Sequence, residues 1–396
     1  MVGQEISKGR SKTPAWDDPA VFEFDAQGHH LCVLPGGDDR LAAILDLIAS
    51  ARESLRLCFY IYSADRVGTE VRDALVEAAR RGVRVQLMVD GFGAEAPDSF
   101  FAPLVEAGGT FDRFSPKWSR RYLIRNHQKL IIADGKRAMI GGFNIEDSYF
   151  AEKAGEGWQD LGVAIEGAVV EDLTRWFDAL SEWAHRPKAQ FRAIRKMVRE
   201  WQPGEGTVRL LIGGPTVGLS SWARHVGHDL IHASRLDMVM AYFSPAYRLL
   251  KRIATIGKRG EARLVLAAKS DNGATIGATR SLYSYLLKRD AEIFEFRPRM
   301  LHTKLIVIDD KTYIGSANFD MRSLYLNLEL MVRIEDSDLA ERMRRFIDSH
   351  AGASQVITPE LHRSRAGVVN RVRWWLSWLL VGVIDYTVSR RLNLGQ

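Results

Sequence analysis

The chain contains its own pattern twice, and this duplication constrains the fold more than any other feature. Residues 41–90 read as a helix (Leu41 to Ala51), an apolar strand (Leu55 to Tyr62), an amphipathic helix (Thr69 to Arg80) and a second strand (Val83 to Val89). Residues 220–270 repeat that order. There the pieces are a helix around Trp222 to Ala233, the strand Met238 to Phe243, a helix around Tyr247 to Arg259 and the strand Arg263 to Ala268. A Gly-Gly turn precedes each first helix, Gly36-Gly37 in one copy and Gly213-Gly214 in the other. Repetition of whole supersecondary units marks a duplicated architecture. Strands alternating with helices at this spacing predict an α/β layered domain in each copy, its sheet buried between helices.

Each copy ends in the same chemistry. The first carries His127, Lys129 and Asp134 in HQKLIIAD, followed by Gly141, Gly142 and Asn144; the second carries His302, Lys304 and Asp309 in HTKLIVID, followed by Gly315, Ser316 and Asn318. On a strand, residues two apart share a face, so each copy offers an imidazole beside an ammonium. The glycine that follows lets backbone approach a bound group, and the Asn adds an amide donor, which together make a phosphate-binding layout. A single His-x-Lys pair is equally well the solvent side of an edge strand. Two copies are not, because His, Lys and Asp at these offsets arise by chance on the order of 10⁻⁴ per position.

Composition narrows the class. With 396 residues, 46% of them hydrophobic, the chain can bury a large core and has room for two or three domains, which excludes a disordered tail or a small stapled scaffold. Cys32 and Cys58 are the only cysteines, too few for a disulfide framework or a Cys-rich zinc site. His29, His30 and Cys32 lack a fourth ligand and read as packing residues, and Gly213-Gly214 lacks the Lys-Ser/Thr of a nucleotide-binding loop. Trp176 and Trp183 share a helical face and read as core. No metal or cofactor is expected. A net charge of +6 favours an anionic partner, a lipid surface or a nucleic acid, without deciding between them. The first forty residues contain neither a signal peptide pattern nor an apolar span, so a cytoplasmic protein is expected.

The doubled pattern His-x-Lys-x4-Asp with Gly-Gly/Ser-x-Asn resembles the phospholipase D superfamily, and its details look most like the bacterial cardiolipin synthases. Asp147 in the first copy, Phe319, Asp320, Arg322, Ser323, Asn327 and Glu329 in the second, and Trp158-Gln159-Asp160 extend the likeness over roughly residues 35 to 350. Many of those synthases begin with two hydrophobic spans, so this chain is similar to the members without them. The resemblance implies two tandem α/β/α repeats related by a pseudo-twofold axis, with one active site at their interface. It places the first repeat with a basic linker at 1–205, the second at 206–352 and a tail at 353–396.

The resemblance also implies roles. His127 is the nucleophile that forms a phosphohistidine, His302 the general acid and base, and Lys129 and Lys304 hold the phosphoryl oxygens with Asn144, Asn318, Gly142 and Ser316. Asp134 and Asp309 complete the catalytic motif, although each closes its strand and can equally bind backbone or the neighbouring repeat. Asp160 and Glu329 are candidates to orient the opposing ring. The implied function is transfer of a phosphatidyl group on phosphatidylglycerol; a phospholipase D hydrolase or other phosphatidyltransferase is the alternative, and a nuclease is disfavoured because no stacking module or basic reading helix is evident. An anionic phospholipid is the expected partner, with no nucleic acid. A monomer is expected at the cytoplasmic face of the bacterial membrane.

Two segments bear on the membrane. Residues 371–391 run from Arg371 and Arg373 through Trp374, Trp375 and Trp378 to Arg390 and Arg391, and their apolar core, which stops at Asp385, is too short to cross a bilayer and suited either to lie on one or to dock on the core. Between the repeats, Arg186, Lys188, Arg192, Arg195, Lys196 and Arg199 alternate with Phe191, Ile194 and Val198. They form an amphipathic linker that either touches headgroups or is simply solvated.

Overall fold

A computed structural model describes residues 16–115, 124–151, 157–186, 191–216 and 218–384. Lys188, Arg390 and Arg391, named above, lie outside the described residues. The first sheet comprises β1 (Phe22–Ala26), β2 (His29–Leu34), β3 (Ser54–Phe59), β4 (Arg84–Asp90), β5 (Thr110–Phe114), β6 (Leu130–Ala133), β7 (Arg137–Gly141) and, after the short β8 (Trp158–Gln159), β9 (Gly162–Glu166). The second comprises β10 (Val208–Gly213), β11 (Arg235–Met240), β13 (Glu261–Ala267), β14 (Glu292–Phe296), β16 (Lys304–Ile308), β17 (Lys311–Gly315), β19 (Glu329–Glu335) and β20 (Ser354–Val356). The short strands β12 (Phe243–Ser244) and β18 (Phe319–Asp320) pair with each other, and β8 pairs with β15 (Met300–Leu301).

The spatial orders make the duplication explicit. The first sheet runs β1-β2-β9-β7-β6-β3-β4-β5 and the second β10-β19-β17-β16-β11-β13-β14-β20. Seven consecutive strands correspond one to one, from β2 and β10 through β5 and β14. The motif strands β6 and β16 are buried along their whole length, because helices or the other sheet cover both faces. This is why each reads as an unbroken apolar run rather than an alternating one.

Three layers of helices enclose the sheets. Outside the first sheet lie α1 (Gly37–Ser50), α2 (Arg66–Arg80) and α3 (Ala102–Glu106); between the sheets lie α4 (Val169–His185), α5 (Phe191–Glu200) and, further along the chain, α10 (Ser337–Gly352). Outside the second sheet lie α6 (Ser221–His232), α7 (Tyr247–Arg259) and α8 (Gly273–Leu287). The short α9 (Met321–Tyr325) follows the second motif, and α11 (Pro359–Arg365) and α12 (Val368–Trp378) close the described chain before a π-helical stretch, Leu379–Ile384. Trp176 and Trp183 are core residues of the middle layer, together with Leu173, Phe177 and Leu180.

The expected elements are all present, with shifted ends. Helix α1 begins at Gly37, four residues early, since Gly36 is its N-cap and Asp38 and Asp39 suit the positive end of its dipole. Strand β3 stops at Phe59 rather than Tyr62, and β11 runs from Arg235 rather than Met238. Residues 354–356, expected in the tail, instead add β20 to the open edge of the second sheet against β14. Helix α12 then packs along α8, with Trp374 and Ser377 buried and the Trp374 ring stacked on His362. The two helices approach at Gly277, where a Cβ would meet the Ser377 side chain at 2.4 Å. Gly277→Leu should therefore lower stability by about 1–3 kcal/mol through overpacking. A thermal melt reads this directly, and an unchanged midpoint would mean that α12 yields freely.

Candidate active site

Each catalytic histidine hangs from the opposite repeat. Asn126 bridges Leu328 in parallel, and Leu301 pairs with Gln159 in the same sense. One residue further on, His127 N donates to Leu328 O at 2.9 Å and His302 N donates to Gln159 O at 2.7 Å. The next residue on each receiving segment is a carboxylate. His127 Nδ1 lies 3.0 and 3.1 Å from the two oxygens of Glu329, and His302 Nδ1 lies 2.6 Å from Asp160 Oδ2. A carboxylate can only accept, so each Nδ1 carries the ring proton and each Nε2 keeps its lone pair. Asp160 and Glu329, the candidates to orient the opposing rings, are the carboxylates placed against them.

Burial sets the charge state. The His127 and His302 rings are withdrawn from water among aromatic neighbours: Tyr60 sits 4.9 Å from His127, while Tyr149, Trp158 and Tyr242 sit 5.1, 5.2 and 6.2 Å from His302. Desolvation lowers both imidazole pKa values, that of His302 to about 3, and the neighbouring lysines push the same way against Glu329 and Asp160. Both rings are therefore neutral near pH 7. Lys304 acts on His127 and Lys129 on His302, which places all four groups in one electrostatic site.

The lysines are buried cations with donors to spare. Lys129 Nζ donates to His127 O at 2.7 Å, below the Tyr60 ring, and Lys304 Nζ donates to His302 O. Desolvation drops Lys129 to about 7 and Lys304 to about 8 despite Glu329 and Asp160 nearby. Burial alone would raise the Asp160 carboxyl, but Lys304, His302 and Arg40 outweigh it and hold the group low. An anionic phosphoryl group entering here would favour the protonated form of both lysines.

Asp134 and Asp309 are not in this cluster. They sit at the far ends of β6 and β16, seven residues of near-extended chain and roughly 20 Å from their histidines. Both occupy the left-handed region, φ 55° and 49°, where a short polar side chain is tolerated. Asp134 accepts from the backbone N–H groups of Arg52, Glu53 and Ser54 at 2.8–2.9 Å, and Asp309 from those of Ser234 and Arg235. These are the contacts of the backbone-binding alternative. Each motif Asp ties its hairpin turn to the start of the neighbouring strand.

Three of the four phosphate-binding candidates are also committed elsewhere. Ser316 Oγ donates to Glu329 Oε2 at 2.5 Å, and a Cβ on Gly142 would lie 2.4 Å from Asp160 Oδ1, so both serve the carboxylates. Asn144 accepts from Ile61 N and donates to the Tyr149 hydroxyl, both at 3.0 Å. Asn318 differs: its Oδ1 is buried with no hydrogen-bond partner. Asn327, beside Glu329 in sequence, shares that condition.

Several contributors escaped sequence reasoning. Arg40 is fully buried and donates to Asp160 O at 2.8 Å and Tyr149 O at 2.7 Å, fixing the segment that carries Asp160. Nothing in the pattern of α1 distinguishes it from a surface arginine. Tyr60 and Tyr242 share a signal, since each follows the equivalent strand of its repeat, β3 or β11. Arg125, two residues before His127, lies over the exposed Phe92 ring at 3.4 Å and is in electrostatic contact with Arg322.

Comparison with known proteins accords with this geometry. Residues 44–181 and 229–351 match the family described as cardiolipin synthase, PLD-like domain, and so take in well over half of the chain. The chain belongs to this family. Cardiolipin synthase B of Shigella flexneri is 29% identical over 358 residues, covering 88% of this chain and 85% of the relative. Cardiolipin synthase 1 of Bacillus anthracis is 30% identical over 331 residues, covering 79% of this chain and 64% of the relative. Among solved structures, phosphatidylserine synthase of Haemophilus influenzae Rd KW20 superposes with a TM-score of 0.71 at 15% identity, covering 93% of this chain and 96% of that one, a likeness of fold. The expected pair of PLD-like α/β repeats with a site between them is the fold found. Among the described residues no helix is long and apolar enough to cross a membrane, and no group of three His, Cys, Asp or Glu side chains could hold a metal ion.

Two outcomes follow from the placements. Asp134→Ala should cost about 1–3 kcal/mol of stability by orphaning three N–H groups, measured by urea unfolding, while sparing turnover far more than a histidine substitution does. A loss of activity equal to that of His127→Ala, with stability intact, would restore Asp134 to the chemistry. The pH dependence has a defined sign. Lys129 and Lys304 lose their protons as pH rises through about 7 and about 8, so kcat/KM on a monomeric short-chain phospholipid should fall on the alkaline side, and a profile flat to pH 9 would contradict it. His302, lowered from 6.5 to about 3, contributes stability that is complete above 6.5 and is lost as pH falls toward 3, because the unfolded ring binds its proton first.

Proposed function

We propose that this protein is a cardiolipin synthase-like phosphatidyltransferase that moves a phosphatidyl group from one phosphatidylglycerol to the hydroxyl of another. The observation that carries the reading is the crossed pair of neutral imidazoles, each with a free Nε2 and each beside a buried lysine. The curated relatives named cardiolipin synthases point to the same class of substrate.

In this mechanism His127 Nε2 attacks phosphorus, the P–N bond forms, and the P–O bond to the departing glycerol breaks. His302 gives its Nε2 proton to that alkoxide. Burial and Lys304 keep the ring neutral in the free enzyme, and an arriving phosphodiester anion favours the imidazolium that the step requires. The incoming hydroxyl then returns a proton to His302 as its oxygen displaces His127, giving cardiolipin and the free ring. Lys129 and Lys304 stabilise the equatorial oxygens. Gly142, Ser316 and Asn144 act through the pocket wall, and Asp160 and Glu329 hold the ring tautomers.

The two repeats, taken as residues 1–205 and 206–352, supply one half-site each, so a monomer suffices. The substrate resides in a bilayer, so the protein works as a peripheral enzyme at the cytoplasmic face of the bacterial membrane.

Lipid mass spectrometry after incubation with phosphatidylglycerol vesicles tests the reading. Cardiolipin and glycerol should appear with the intact protein and neither with His127→Ala. Phosphatidic acid alone would mean a hydrolase, and unchanged lipid would overturn the substrate class. His302→Ala should accumulate a covalent phosphatidyl adduct on His127, and an adduct on His302 in the His127→Ala protein would reverse the two roles.

A further inference from the structure

Helix α12 presents its apolar residues to the wrong side. Its inner side, with Trp374 and Ser377, is packed on α8, so an ordinary surface helix would turn polar residues outward. Instead Val368 and Val369 are 80% exposed, Trp375 55%, Leu380 53%, and Val372 and Leu376 are also open to solvent. Arg371 and Arg373 are exposed within this stripe. Among the described residues, the eleven of α12 and six of π-helix are fewer than the roughly 20 needed to cross a bilayer, a length suited to lying along one. Beside it, Lys288 and Arg363 line a cavity of about 260 Å³.

The position of this face is informative. The Tyr242 ring lies 6.2 Å from His302, and its hydroxyl donates to Asp271 at 2.9 Å. The next residue, Asn272, caps the N-terminus of α8. Gly277, inside the second turn of α8, meets Ser377 of α12, so the C-terminal turn of α12 approaches the end of the second repeat that carries the catalytic ring. Apolar stripe and reaction centre thus share one end of the molecule.

We propose that the outer face of α12 is a docking surface for an anionic lipid bilayer, which seats Trp375, Leu376 and Leu380 in the interface, sets Arg371 and Arg373 among headgroup phosphates, and turns the active-site mouth toward the lipid. The proposal rests on the lipid-substrate reading above. A bilayer fits better than a second copy of the chain because arginines within the apolar stripe would repel one another across a self-complementary face, whereas anionic headgroups neutralise them.

The test uses the full chain and two vesicle compositions, pure phosphatidylcholine and phosphatidylcholine with phosphatidylglycerol. Val372→Asp combined with Leu376→Asp should weaken co-sedimentation with the mixed vesicles on the order of tenfold or more. Arg371→Glu with Arg373→Glu should abolish the preference for the anionic vesicles. Phosphatidylglycerol with brominated chains should quench fluorescence in the parent protein, and Trp375→Phe should lose most of that quenching. Turnover of monomeric short-chain phosphatidylglycerol should be unchanged in all of these variants, because none touches the catalytic cluster. Equal partition by the parent and the Val372/Leu376 variant would falsify the docking surface. A shift from dimer to monomer in sedimentation velocity, with lipid partition unaltered, would assign the face to a second copy and overturn the proposal as well. Absence of short-chain turnover in the parent would count against the proposed reaction, while the partition result would still judge the surface.

Discussion

The exchange of carboxylates between repeats is the interaction on which the site depends. Neither repeat holds its own histidine: the His127 ring is fixed by Glu329 and the His302 ring by Asp160. Backbone pairing sets this exchange, because the parallel contacts of Asn126 with Leu328 and of Leu301 with Gln159 put each histidine opposite the next residue, a carboxylate. Misplacing one repeat against the other by a single residue would move the acid out of reach of Nδ1, and the tautomer with a free Nε2 would lose its support. The neutrality of the rings and the reduced pKa values of Lys129 and Lys304 both require the two halves to close on each other.

The closure is nearly but not fully symmetric. Asp160 is one methylene shorter than Glu329, and Gly142 leaves its carboxylate room, while Ser316 reaches Glu329 with a hydrogen bond of its own. Asn144 is bound into the wall, whereas Asn318 retains an unpartnered buried oxygen. A buried polar atom without a partner costs free energy in the resting protein, and it persists where a ligand can satisfy it. Two rings with different partners and different neighbouring amides are suited to different tasks, which a reaction with one covalent bond and one travelling proton requires.

Much of the fold was legible because its signals are local. Helix α7 runs from Tyr247 to Arg259 as its amphipathic spacing implies, and β6 and β16 read as buried strands from their unbroken apolar runs. The ends that shifted did so where tertiary contacts override propensity, as at β20, which the open edge of the second sheet recruits from an expected tail. The two motif aspartates show the limit of reading a motif as a single chemical unit. They recur with His and Lys in sequence, yet a strand carries them roughly 20 Å away, where their left-handed backbone and carboxylates secure a turn.

The sequence by itself determined that this chain is duplicated, that each copy supplies an imidazole and an ammonium on one strand face, and that together they make a phosphate-binding layout. These follow from residue type and spacing, which are properties of one dimension. Only the tertiary structure decided which carboxylate serves which ring, that Arg40 fixes the Asp160 segment from beneath, that Ser316 serves an acid rather than a phosphate, and that α12 is docked on one side and bare on the other. Those facts depend on pairs from 13 to 202 residues apart in the chain or on which side of a helix a neighbour covers. No local pattern encodes either, because hydrogen bonding and desolvation act through distance in space.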